Sequence, residues 1–148
     1  MRSLVSTVLT IAGASLLAAA RFQAVQDHID VTILNGPNAG TYKTPSDETI
    51  CMHKKDMQFH AVTWRDLNPG PKKLSIANIK VDNSDRAGPK RGSVEIIFGT
   101  GKTPAEYAIK DGPITMTMKG KGGTLSFEGA DKGVKLKVTG TCSAFDDM

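Results

Sequence analysis

The sequence predicts an all-β protein: an antiparallel β-sandwich or small barrel of about eight or nine short strands, preceded by an N-terminal signal peptide. Apolar and polar residues alternate in most segments, which is the period of a half-buried strand. Glycine, proline, asparagine and aspartate mark turns roughly every 8–15 residues, and beyond residue 20 no stretch keeps a helical period over three turns. The length of 148 residues fits one domain. We therefore predict a signal peptide at residues 1–20 and a single all-β domain at residues 21–148.

The first 20 residues have the layout of a secretory signal peptide. Arg2 supplies a positive charge, residues 4–20 are uncharged and mostly apolar, and the run ends in three alanines, which predicts cleavage after Ala20. Ala24 is a second candidate cleavage site. A retained membrane anchor is the alternative, but the run is at the lower edge of the roughly 17–25 residues that a spanning helix needs. We expect a periplasmic or secreted protein with no transmembrane segment after cleavage.

The first two thirds of the domain contain five predicted strands: residues 29–33, 49–53, 58–64, 74–81 and 93–98. Residues 29–33 alternate cleanly and stop at residues 35–40, a cluster of turn-forming residues. Residues 82–92 form a loop between the last two of these strands. Its Asp82-Asn83-Ser84-Asp85 start has oxygen ligands but lacks the later residues of a calcium loop, so we predict a solvated turn.

The last third contains four predicted strands: residues 105–109, 114–119, 124–128 and 133–139. Asp111-Gly112-Pro113 predicts a turn that ends the first of them. The last three are joined by short glycine-containing connectors, which predicts an antiparallel meander. Met116 and Met118 share the parity of Ile114, so we expect both side chains to fill the core.

The two cysteines are predicted to form a disulfide. Cys51 lies in an early strand and Cys142 follows the last one. An exported chain meets an oxidising compartment, where such a pair is oxidised. The alternative is a pair of free thiols that could bind metal.

One constellation suggests a soft-metal site of the copper type. His53, Met57 and His60 supply imidazole and thioether ligands, and a hairpin would bring them together. Their spacing specifies no known site, so we predict no cofactor and keep metal binding as an alternative function.

Lysines define a possible anion-binding face. Lys135 and Lys137 alternate with core residues, and Lys119 is predicted to lie on the same solvent-exposed face, where an anionic polymer or other envelope component would bind. Loss of Arg2 with the signal peptide lowers the net charge from +4 to +3, and Glu128 is nearby. We therefore expect a solubilising face, with no partner lost when the lysines are replaced. The chain has only five Phe, two Tyr and one Trp, and we expect no nucleic-acid partner.

The sequence contains no Gly-x-Ser-x-Gly, Ser-x-x-Lys or His-Glu-x-x-His motif. We therefore expect a non-catalytic binding or structural module of the cell envelope or extracellular space, whose ligand the sequence leaves open. A small secreted enzyme of unknown class is the remaining alternative.

Overall fold

The protein is built almost entirely from β-strands. The computed structural model describes residues 24–54, 58–64, 73–99 and 104–147; for residues 54 and 58–64 it describes the backbone. The strands of these residues are β1 (His28–Ile33), β2 (Gly40–Lys43), β3 (Thr49–Lys54), β4 (Gln58–Trp64), β5 (Leu74–Val81), β6 (Lys90–Phe98), β7 (Ala105–Lys119), β8 (Gly122–Asp131), β9 (Val134–Cys142) and β10 (Asp146–Asp147). A 3-10 turn, Ser46–Glu48, lies between β2 and β3. The prediction of an all-β antiparallel fold is confirmed.

The strands follow one another in a curled sheet of order β10-β3-β4-β5-β6-β7-β8-β9-β1-β2. Strands β3 to β9 form a meander, because each pairs with the next one along the chain. Strand β1 pairs antiparallel with β9, and β10 pairs parallel with β3. Strand β5 contacts β8 and β9 across the core, so the two halves of the sheet pack on each other as a half-barrel.

The predicted turn at Asp111-Gly112-Pro113 is wrong, because these residues lie within the long strand β7. Residues 105–114 pair with β6 and residues 115–119 pair with β8, so one continuous strand passes from one half of the sheet to the other. Gly112 lies at this passage, where an added Cβ would be 2.5 Å from the ring of Phe127. A glycine and a proline therefore lie within a strand here, beside a shift in its register with β6, and no turn forms.

The core is formed by alternate residues of the paired strands. Strand β5 is buried at every second position from Ala77 to Val81, and β6 from Val94 to Phe98. Ile114 is also buried, and Met116 packs against the core as predicted. Met118 differs from the prediction, because it is 40% exposed at the end of β7.

The disulfide is present as predicted. Cys51 of β3 is bonded to Cys142 of β9, with the Cα atoms 5.9 Å apart and 91 residues between them in the sequence. Both residues are buried. Strands β3 and β9 are not neighbours in the sheet, so the bond ties its two halves together across the core.

Two short strands, β2 and β10, were not predicted, and β8 is longer than its predicted residues 124–128. The signal-peptide prediction concerns residues 1–20, which lie outside the described residues. In the described part of the chain, no helix has the length and apolar character needed to cross a membrane.

The β5–β6 loop, residues 82–89, is organised around a lysine. The ammonium of Lys90 donates to the carbonyl oxygens of Asn83 (3.3 Å), Ser84 (2.9 Å) and Arg86. The ammonium thus satisfies several backbone acceptors of the loop at once, and charge-assisted hydrogen bonds of this kind are stronger than neutral ones.

Replacing Lys90 with methionine is expected to loosen this loop while the sheet stays folded, because the variant keeps the aliphatic stem and loses every donor. Hydrogen exchange of the amides in residues 83–88 should become at least about fivefold faster, corresponding to a loss of about 1 kcal/mol in local stability. Lys80→Met is the matched control, since Lys80 makes a surface ion pair with Asp82 (2.8 Å). Equal exchange rates in the two variants would contradict the role of Lys90.

Candidate functional site

The outer face of β7, β8 and β9 carries hydroxyl groups in two rows. The register aligns Thr117, Thr124 and Thr141 across the three strands. The next row is formed by Thr115, Ser126 and Thr139. Antiparallel register places directly opposite side chains about 5 Å apart on one face. These two rows form a hydroxyl-rich patch on the outer face of the sheet.

A groove of about 540 Å³ lies over the first of these rows. The row Thr117–Thr124–Thr141 contributes three side chains, and Lys119 contributes a fourth from the end of β7. Cys142 and Ser143 line it at the end of β9. The N-terminal segment Ala24–Val25 lines it from outside the sheet. We call this feature the hydroxyl groove.

The N-terminal segment is held in position by hydrogen bonds. The carboxylate of Asp27 accepts from the backbone N–H of Ser143 (2.6 Å). Nδ1 of His28 donates to the carbonyl oxygen of Gln26 (2.7 Å), and its Nε2 lies 3.2 Å from the carboxylate of Asp30. These contacts hold residues 26–28 against the sheet and place Val25, which is 56% exposed, beside it.

Gly123 gives the groove a backbone surface. A Cβ added there would lie 2.3 Å from the carbonyl oxygen of Thr117 and 3.2 Å from the sulfur of Met118. Strands β7 and β8 therefore approach more closely than any side chain at this position would allow. In the sequence, Gly123 belongs to a predicted turn, whereas the structure places it within β8.

The three lysines of the predicted anion-binding face lie on β7 and β9. Lys119 is at the groove, opposite Gly122, while Lys137 is opposite Glu128. At a rise of about 3.3 Å per residue, roughly 20 Å separates these two positions along the strands. Lys137 lies 3.7 Å from the carboxylate of Glu128. Lys119 therefore belongs to the groove, and Lys135 and Lys137 belong to the far end of the face.

A second concave site of about 430 Å³ surrounds His53. Met118 and Lys121 line it, together with the C-terminal residues from Ala144 to Asp147. Nδ1 of His53 is 2.8 Å from the carboxylate of Asp147, and Nε2 is 3.6 Å from that of Asp85. The C-terminal strand is further held by Phe145, which is buried and whose N–H donates to the carbonyl oxygen of Lys121 (2.9 Å).

The two carboxylates raise the pKa of His53 above its usual 6.5. The hydrogen bond with Asp147 is the largest cause, burial opposes it, and Asp85 adds to the rise. The protonated form is therefore favoured in the folded protein. Its contribution to stability is fully present below about pH 6.5 and is lost as the pH rises through the higher folded-state pKa.

We expect His53→Gln to flatten part of the pH dependence of stability. In the wild type, the free energy of unfolding should fall between about pH 5.5 and about pH 8.5 because His53 loses its charge beside two carboxylates. Urea unfolding of both proteins at the two pH values measures the difference. An identical fall in the variant would show that His53 does not carry the effect.

Of the three predicted metal ligands, only the side chain of His53 lies among the described residues. Met57 and the side chain of His60 lie outside the described residues, so the site His53–Met57–His60 stays a prediction. The backbone register places His60 opposite Met52, and His53 opposite Phe59. Within the described ranges, no group of three or more His, Cys, Asp or Glu side chains could hold a metal ion.

Sequence reasoning missed most of the groove. The threonines carry a strand pattern but no signal for alignment across strands, and Val25 lies before the first strand. The partners of His53 are also distant in sequence, and Asp147 is 94 residues away. No family model, no curated protein and no solved structure matches this chain.

Proposed function

We propose that this chain is an exported, non-catalytic binding module of the cell envelope or extracellular space, and that the hydroxyl groove is its binding site. One observation carries the proposal: three aligned threonines and one lysine line a concave site, beside an N-terminal segment that Asp27 ties to Ser143 by a hydrogen bond. The site belongs to a disulfide-bonded β-domain.

Export is supported by two independent features. Residues 1–20 have the composition and order of a signal peptide. The Cys51–Cys142 disulfide is typical of an oxidising compartment, because cytosolic reductants keep most thiols reduced.

Binding is supported by the size and chemistry of the groove. Its volume of about 540 Å³ is within the range of about 300–1,000 Å³ of small-molecule sites. Threonine hydroxyls both donate and accept hydrogen bonds, and the Lys119 ammonium donates three. The hydrogen bond from Ser143 to Asp27 ties the N-terminal segment to the end of β9 beside the groove, and a segment that is already ordered lowers the entropic cost of binding.

Export is tested by expressing the full chain and sequencing the N-terminus of the protein recovered outside the cytoplasm. The sequence should begin at Arg21, or at Val25 if the second site is used. A protein that stays in the cytoplasm with Met1 intact would refute the export part of the proposal.

Binding is tested by passing an envelope extract over the immobilised protein and over two variants. Thr124→Phe places a ring in the middle of the groove, whereas Thr115→Phe makes the same change on the same face, in the neighbouring row. Compounds retained by the wild type and by Thr115→Phe should be lost with Thr124→Phe. Equal retention by all three proteins would show that the groove is not the binding site.

A further inference from the structure

We propose that the ligand of the hydroxyl groove is an amphipathic anion: a single aliphatic chain that ends in a carboxylate. The inference rests on the proposed binding function and names the ligand class. The aliphatic part would lie against the methyl groups of Val25 and the threonine row, and the carboxylate would meet Lys119.

The lining favours an aliphatic body over a sugar. Ala24, Val25 and three threonines line the groove, and most of its exposed surface is apolar. Sugar sites use aromatic rings and side-chain amides or carboxylates, which bind vicinal hydroxyls in pairs. None of the described residues that line the groove is aromatic, an amide or an acid.

The charge of the groove favours a negative head group. Lys119 carries the one formal charge among the described lining residues. The carboxylate of Asp27 lies beyond the groove lining, and it is bonded to the N–H of Ser143. A carboxylate beside Lys119 would gain a hydrogen bond and the attraction between two opposite charges, whereas a neutral head group would gain the hydrogen bond alone and a cationic one would be repelled.

The turn that carries Lys119 supplies a matched control. Lys119 and Lys121 flank Gly120, whose φ of 62° reverses the chain between β7 and β8. Lys119 lines the hydroxyl groove, whereas Lys121 lines the site around His53. The two lysines are close in sequence and alike in chemistry, and they differ in the site that they face.

The test is calorimetric titration of the full exported protein with decanoate below its micelle concentration. We expect binding of one decanoate per protein, at least about fivefold weaker binding to Lys119→Met, and a change of less than about twofold for Lys121→Met. Decanol should bind about as weakly to the wild type as decanoate does to Lys119→Met. Thr124→Phe should abolish binding, and its disulfide and thermal unfolding show whether it is folded.

The inference is overturned if decanoate gives no heat, or if Lys119→Met and Lys121→Met weaken decanoate binding equally. It is also overturned if the protein sediments with anionic lipid vesicles but does not bind monomeric decanoate. The proposed binding function is tested separately from the ligand class. If the groove still retains an envelope compound that Thr124→Phe loses, the binding function stands and only the ligand class is wrong.

Discussion

Replacing Cys51 and Cys142 together by alanine is expected to lower the free energy of unfolding by about 4–5 kcal/mol. The bond closes a loop with a sequence separation of 91 residues, and opening it restores the conformational freedom of that loop to the unfolded chain. Both positions are buried. Alanine is chosen over serine because a serine hydroxyl would be left without a hydrogen-bond partner there. Urea unfolding of the variant and of the oxidised wild type measures the loss.

The wild type in strong reductant provides the control, because it loses the same bond without a change in sequence. Its unfolding midpoint should approach that of the double alanine variant. Alkylation of the unreduced protein should modify neither cysteine. Equal midpoints for the oxidised, reduced and variant proteins would contradict a stabilising role of the bond.

Replacing Gly92 with alanine is expected to destabilise the fold by about 3 kcal/mol or more. Gly92 pairs with Val81 of β5 and with Gly112 of β7, and the register between β6 and β7 shifts directly after it. An added Cβ would lie 1.8 Å from the carbonyl oxygen of Lys80, which is backbone and cannot move without separating the two strands. Thermal or urea unfolding of the purified variant measures the loss, and failure to accumulate as folded protein would agree with it.

Ser93→Ala is the control for this prediction. Ser93 is the next residue of β6 and is only partly buried, so the change should alter stability by less than about 0.5 kcal/mol. If Gly92→Ala is as stable as Ser93→Ala, β5 and β6 do not approach as closely as the structure indicates.

The positions of most strands were predictable from the period of two and from the turn residues between them. The bounds of β4 (Gln58–Trp64) and β5 (Leu74–Val81) match the predicted segments. The long strand β7 was not predictable, because Gly112-Pro113 has the composition of a turn and its pairing with β6 is made to residues about 20 positions earlier in the chain. Strands β2 and β10 are short and depend on pairing with β1 and β3, which no local pattern specifies.

The candidate site was less predictable than the fold, for a physical reason. Lys119 was recognised as a surface lysine, but its neighbours across the strands follow from register. The position of Val25 follows from the bond between Asp27 and Ser143, which are 116 residues apart. Contacts between residues so far apart in the sequence are set by tertiary packing. A single sequence therefore indicates which residue types are present, but not which of them lie close together in the fold.

The most direct test of the binding function is an NMR titration of the labelled, exported protein with soluble envelope extract. We expect amide shifts to concentrate at Val25, Thr117, Gly123 and Thr124 in the wild type and to disappear in Thr124→Phe. Shifts centred on the site around His53, or a wild-type spectrum that the extract leaves unchanged, would contradict the assignment of the hydroxyl groove as the binding site.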